Sequence, residues 1–219
     1  MIIKGLGEFS AAVFDLDGTL FDSMGFWHHI DEWFLKKMGI DEVPGDYLLA
    51  IAHLGAEETA KYTRERFNLD ISSEDMMKCW LNKALDFYHN EVTLKPGAYE
   101  LLCRLRDAGI RLAVATASDP RLYLPGMKRT GIEEFFGAVA DVNECARKKG
   151  FPDVYSLACS RLGVPDSEAV VFEDIYIAVR GAKDGGFRTV GVYDETSGRD
   201  TDRIKETADL FIRSFDELL

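Results

Sequence analysis

Four short, almost uninterrupted apolar runs punctuate the chain, and each stops at polar residues. Ala11-Ala12-Val13-Phe14 runs into Asp15-Leu16-Asp17-Gly18, and Leu112-Ala113-Val114-Ala115 into Thr116-Ala117-Ser118-Asp119. Ala169-Val170-Val171-Phe172 runs into Glu173-Asp174, and Thr189-Val190-Gly191-Val192-Tyr193 into Asp194-Glu195. A fainter fifth run covers residues 136–140. Runs this short, with no polar alternation, predict central parallel strands covered on both faces.

Helical spacing fills the gaps between the runs. Pro96-Gly97 opens a segment that puts Leu101, Leu102, Leu105 and Ala108 on one face, and Gly109 closes it. Pro152-Asp153 opens another, with Tyr155, Ala158, Cys159 and Leu162 inward and Gly163 at the stop. Proline at the start and glycine at the end is the asymmetry expected of helices. From residue 94 onward, strand and helix alternate as right-handed βαβ units, which predicts an α/β, Rossmann-like parallel sheet. Ligands of such sheets sit beyond the carboxyl ends of the strands, where this chain puts its polar residues.

Residues 22–93 break the alternation. Phe26, Trp27, Ile30, Trp33, Phe34 and Met38 recur at helical spacing, and residues 55–67 and 73–89 also read as helices with no strand between. The expected organisation is a core of residues 1–21 and 94–219, interrupted by an inserted α-helical domain, 22–93.

Composition and charge narrow the function. The 219 residues carry 26 basic and 38 acidic side chains, a net charge of −12, and 47% are hydrophobic. A folded core is therefore expected, and a non-specific hold on nucleic acid, which needs a basic face, is not. The insertion alone holds 7 basic and 14 acidic residues. Cys79, Cys103, Cys145 and Cys159 are scattered with no metal-binding spacing, so free thiols in a reducing, cytoplasmic setting are expected. The first ten residues show no secretory pattern, and no stretch approaches the roughly 20 apolar residues of a membrane span. With no heptad or bare strand edge in view, a monomer without a membrane partner is expected.

Asp15 and Asp17 are the first residues to carry chemistry. Two carboxylates one residue apart at a strand end need a cation or a strong hydrogen-bond network if buried. Such a pair serves either as a nucleophile with its general acid or as an oxygen cage for Mg²⁺, and an acidic protein can also hold an Asp-x-Asp by chance.

Asp15-Leu16-Asp17-Gly18-Thr19-Leu20 after an apolar strand resembles motif I of the haloacid dehalogenase superfamily, and the other motifs follow in the family's order. Thr116, 99 residues after Asp17, resembles the motif II threonine. Lys149-Gly150-Phe151-Pro152-Asp153 is similar to the family's Lys-Pro-x-Pro-Asp, with glycine at the first proline, and Phe172-Glu173-Asp174 resembles motif IV. Ile175 and Ala178 stand where the family commonly has serine and glycine. Only 33 residues separate Thr116 from Lys149, so the resemblance implies one helical cap, inserted between motifs I and II.

The resemblance also implies roles. Asp15 would attack phosphorus and form an aspartyl-phosphate. Asp17 would act as general acid and then as base. Thr116 and the amides of Ala117 and Ser118 would bind phosphoryl oxygens, and Lys149 would neutralise charge, a role that Lys148 beside it could also fill. Mg²⁺ would sit among Asp15, the main-chain carbonyl of Asp17 and Asp174, with Glu173 in or just outside that set. Dehalogenases of the superfamily lack an acid at the Asp17 position, so phosphoryl chemistry is implied. The expected activity is hydrolysis of a small phosphorylated metabolite, with Trp27, His28 and His53 of the insertion as candidate substrate contacts. Trp27 can equally be helix core and His28 a solvated residue. Two alternatives share the core motifs: a β-phosphoglucomutase-like isomerase, and a receiver-like phospho-acceptor without catalysis.

Overall fold

A computed structural model describes residues 2–3, 5–51 and 54–219. In chain order the elements are β1 (Ile2–Ile3), β2 (Gly7–Glu8), β3 (Ala11–Phe14), α1 (Met24–Lys37), α2 (Gly45–Ile51), α3 (Ala56–Phe67), α4 (Ser73–Asn90), α5 (Ala98–Asp107) and β4 (Arg111–Thr116). They continue with α6 (Pro120–Thr130), β5 (Ala138–Asp141), α7 (Asp153–Leu162), β6 (Ala169–Glu173), α8 (Tyr176–Asp184), β7 (Arg188–Val192), α9 (Thr201–Thr207) and β8 (Leu210–Ile212). None of the described helices is long and apolar enough to cross a membrane.

Six strands form one parallel sheet in the order β5-β4-β3-β6-β7-β8, and β1 and β2 pair as a separate antiparallel ribbon. Counting only the six in chain order gives 3-2-1-4-5-6, the doubly wound arrangement, whose direction reverses between β3 and β6. The register there pairs Phe14 with Phe172, and their rings stack 4.3 Å apart. Every residue of β3 is fully buried, as a run without polar alternation requires of a strand covered on both faces. On one face Val13, Ala113, Ala115 and Val171 pack against Tyr155, Ala158 and Cys159 of α7 and Ala182 of α8.

The sequence reading places the central strands correctly. The fifth run forms β5 two residues later than expected, and β1, β2, β8, α2, α6, α8 and α9 are additions to it. Ala108 follows the end of α5 and is exposed, so the inward face of that helix stops at Leu105.

The chain divides into two compact units, Met1–Met24 with Val92–Leu219, and Gly25–Glu91. In the first, the two segments flanking the insertion are tied together. Asp22 N–H donates to the Thr93 carbonyl at 3.0 Å, Lys95 N–H donates to Leu20 O at 2.8 Å, and Phe21 bridges Leu94 in antiparallel fashion. The second unit is helical around Ile30, Phe34, Ala60, Met76 and Trp80. Its longest helix, α4, starts at Ser72, whose hydroxyl accepts from the Asp75 amide at 3.0 Å.

Candidate active site

The carboxyl end of β3 sets the first group. Asp15 N–H donates to Phe172 O at 3.1 Å, so its backbone still belongs to the sheet while its side chain lies beyond it. A tight turn follows, with Thr19 N–H and Phe21 N–H both donating to Leu16 O, at 3.2 and 2.7 Å. Gly18 takes φ = +84°, and a Cβ there would lie 2.3 Å from Asp174 Oδ2. Only glycine allows the turn to pass this close to the carboxylate that follows β6.

Four charged groups meet at this point. Lys149 Nζ donates to Asp15 Oδ1 and, at 2.7 Å, to Glu173 Oε1. Lys148 is exposed, so the lysine of the site is Lys149. Asp15, Glu173 and Asp174 are all buried, and each offers a carboxylate oxygen within 4.8 Å of the others. The loop carrying Lys149 is set by α8, where a Cβ on Gly181 would fall 2.7 Å from the Lys149 carbonyl oxygen.

Neighbours with no charge fix the carboxylates. Tyr155 OH donates to Glu173 Oε1 at 2.9 Å, Thr19 Oγ1 to Asp174 Oδ1 at 3.1 Å, and Ser23 Oγ to Asp17 Oδ1 at 2.7 Å. Sequence reasoning missed all three as parts of the site. Thr19 and Ser23 lie within six residues of Asp17, so proximity to the motif was the available signal. Tyr155 had none, because on a helix face it reads as core.

Thr116 ends β4, beside β3, and is buried; its Oγ1 accepts from Ser118 N–H at 3.0 Å. That bond is the local cap open to any threonine at a strand end, and it engages the Ser118 amide. Ala117 is exposed and Ser118 half-buried. Trp27 and His28 lie in the helical unit and line a cavity there. His53 falls outside the described residues.

Three carboxylates against one ammonium leave an excess of negative charge. Burial pushes the Asp15 carboxyl well above its ordinary 3.8; Lys149 pulls it down, and Glu173 and Asp174 push it further up. Burial and then Glu173 raise Asp174 to about 7, against the pull of Lys149 and Lys95. Burial alone would lower Lys149, but Asp15 and Glu173 outweigh it and the net shift is upward. Burial, reinforced by Glu173, drives the Tyr155 phenol well above 10 and keeps it a donor. Glu173 Oε2 and Asp174 Oδ2 are buried and accept no hydrogen bond among the described residues. Clustered hard oxygen donors with orphaned lone pairs and uncompensated charge fit a divalent cation such as Mg²⁺.

Gly18→Ala tests this cradle. The added methyl must displace Asp174 and strains a left-handed residue, so the expected cost is roughly 1–3 kcal/mol of stability and about 10–100-fold in Mg²⁺ affinity. Thermal melts with and without Mg²⁺ measure both, and an unchanged Mg²⁺ response would contradict the arrangement.

Comparison with known proteins agrees with this geometry. Residues 12–192 match the family described as haloacid dehalogenase-like hydrolase. The chain is 30% identical to validoxylamine A 7'-phosphate phosphatase of Streptomyces hygroscopicus subsp. limoneus over 213 residues, covering 96% of each. It is 28% identical to SUPPRESSOR OF QUENCHING 1 of Arabidopsis thaliana across 85% of this chain, which spans 18% of that larger protein. Among solved structures it resembles a mutant of CbbY from Rhodobacter sphaeroides in complex with xylulose-(1,5)bisphosphate, with TM-score 0.76, 26% identity and 96% coverage of both chains. The chain belongs to the haloacid dehalogenase-like hydrolases and is an enzyme of their phosphatase type.

Proposed function

We propose that the enzyme hydrolyses a small phosphomonoester in two steps through an aspartyl-phosphate on Asp15. The observation that carries this reading is the buried Asp15 carboxylate, paired with Lys149 and sharing its site with Glu173 and Asp174.

In the first step an Asp15 oxygen attacks phosphorus and the ester oxygen departs, taking a proton from Asp17. In the second, Asp17 takes a proton from water, the water oxygen attacks phosphorus, and the acyl-phosphate bond breaks, returning the Asp15 carboxylate and inorganic phosphate. Ser23 holds the Asp17 carboxylate in one orientation for both transfers. Lys149 offsets the negative charge that nucleophile and phosphoryl group bring together, and Glu173 and Tyr155 hold its ammonium in place. The Thr116 hydroxyl is assigned to a phosphoryl oxygen. Asp15, Asp174 and the main-chain carbonyl of Asp17 would hold Mg²⁺, which when bound neutralises the carboxylates and polarises the phosphoryl group. We place this activity in a reducing, cytoplasmic setting, which suits the four free cysteines.

Phosphate release from a panel of sugar, polyol and nucleotide monophosphates tests the reading. Mg²⁺-dependent release from at least one monoester is expected. Release from none, with protein that is folded and responds to Mg²⁺, would overturn it. Interconversion of sugar-phosphate isomers activated by a bisphosphate would select a mutase instead.

A further inference from the structure

The helical unit has a cavity of about 440 Å³, within the range of small-molecule sites. Trp27, Ile51, Met77, Trp80 and Leu81 give it apolar walls, and Asp31 is the acidic group among its lining. Two polar groups at this cavity are left without partners among the described residues. The Asp31 carboxylate makes no hydrogen bond or ion pair there, and the indole N–H of Trp80, a residue only 8% exposed, has no acceptor. Other buried polar groups of the unit have partners among the described residues: Tyr47 OH meets Thr63 Oγ1 at 2.8 Å, and Trp27 Nε1 donates to Tyr88 OH at 3.0 Å.

The chemistry of the two orphans specifies an occupant. An ionised carboxylate against apolar walls is costly unless a cation meets it, and here burial pushes the Asp31 carboxyl up to about 6. Indole faces on the walls attract the same kind of charge. The acidity of the unit, 13 acidic against 7 basic residues over 25–91, disfavours an anion.

We infer that this cavity binds a compact organic amine, an apolar body whose ammonium pairs with Asp31. The site uses no residue of the phosphoryl centre, but it shares Trp27 and His28 with the candidate substrate contacts of the insertion, so amine binding is read directly and apart from phosphate release.

All three tryptophans of the chain, Trp27, Trp33 and Trp80, are in the helical unit, so indole fluorescence reports on it alone. The test titrates the whole protein at pH 8 with 3-phenoxypropylamine, 3-phenoxypropan-1-ol and 3-phenoxypropionate, with calorimetry as a second readout. The amine is expected to saturate at least about tenfold more tightly than the alcohol, a difference of about 1.4 kcal/mol, and the acid more weakly than either. Asp31→Asn should bring the amine down to the level of the alcohol and leave the alcohol unchanged, which also shows that the variant is folded. Equal binding of amine and alcohol, undiminished amine binding by Asp31→Asn, or no saturation by any probe up to the millimolar range would each overturn the inference. Phosphate release measured on Asp31→Asn in parallel keeps the two proposals separate.

Discussion

Asp15→Asn is expected to lower phosphate release by at least about 10³-fold while the protein stays folded, because the amide cannot form the acyl-phosphate. Its effect on stability separates a reactive group from a structural one. In the metal-free enzyme the ionised Asp15 is disfavoured: burial and two neighbouring carboxylates hold its carboxyl well above the ordinary value. Removing that charge leaves the Lys149–Glu173 pair intact at 2.7 Å. The metal-free variant should therefore melt no lower than the parent at pH 8, and each pK unit of relief is worth about 1.4 kcal/mol. Lys149→Met should do the reverse. It deprives three buried carboxylates of their ammonium and should cost roughly 3–5 kcal/mol as well as activity. Melts of both variants with a phosphate-release assay decide the matter. Residual turnover above about 1% in Asp15→Asn, in a preparation free of the parent enzyme, would contradict the nucleophile assignment.

Mg²⁺ should raise the melting temperature strongly at pH 8 and scarcely at pH 5. The sign follows from Asp174, whose carboxyl is raised from 3.8 to about 7 in the folded state. Between these values the native protein binds more protons than the unfolded chain, so stability falls as pH rises through the window. Above pH 7 the penalty is complete; three units correspond to about 4 kcal/mol, an upper bound for a group that shares its shift with neighbours. Asp15 acts in the same direction. Mg²⁺ removes the penalty by pairing with the ionised carboxylates, and at pH 5 it must compete with protons for them. Chelation with EDTA should abolish turnover, and added Mg²⁺ should restore it. Asp31 contributes a similar slope with its value of about 6, but it lies in the helical unit, so the difference between curves with and without Mg²⁺ isolates the acidic site. A Mg²⁺ effect absent at pH 8, or larger at pH 5, would refute this account.

The central sheet was legible because burial on both faces leaves a strand such as Ala11–Phe14 no polar alternation. β8 was not, since three residues, two of them half-buried, give too little pattern. α6 was hidden by Pro125 and Gly126, which read as breakers, although Asp119 caps its start and Pro120 opens it. At the site, Asp15, Glu173 and Asp174 stood out as acids where apolar runs end, although 159 positions separate the first from the last, whereas Lys149, in a loop, was reached only through the resemblance of Lys149-Gly150-Phe151-Pro152-Asp153 to a family motif. The groups that orient them were not: Thr19, Ser23 and Tyr155 are ordinary residue types, and their roles exist only once the chain has folded. Trp27 shows the same limit, since one apolar helical spacing describes both a residue packed in a core and one lining a cavity.

The hydrogen bond from Asp22 to Thr93 and the bridge between Phe21 and Leu94 close the first unit where the insertion departs and returns. Exit and entry are neighbours, so the inserted segment Gly25–Glu91 need impose no separation on its anchors, whatever its length. Such a junction works as a socket. What is plugged into it can change in length without pulling the two anchor segments apart, and a protein engineer could exchange helical cassettes at the same two points.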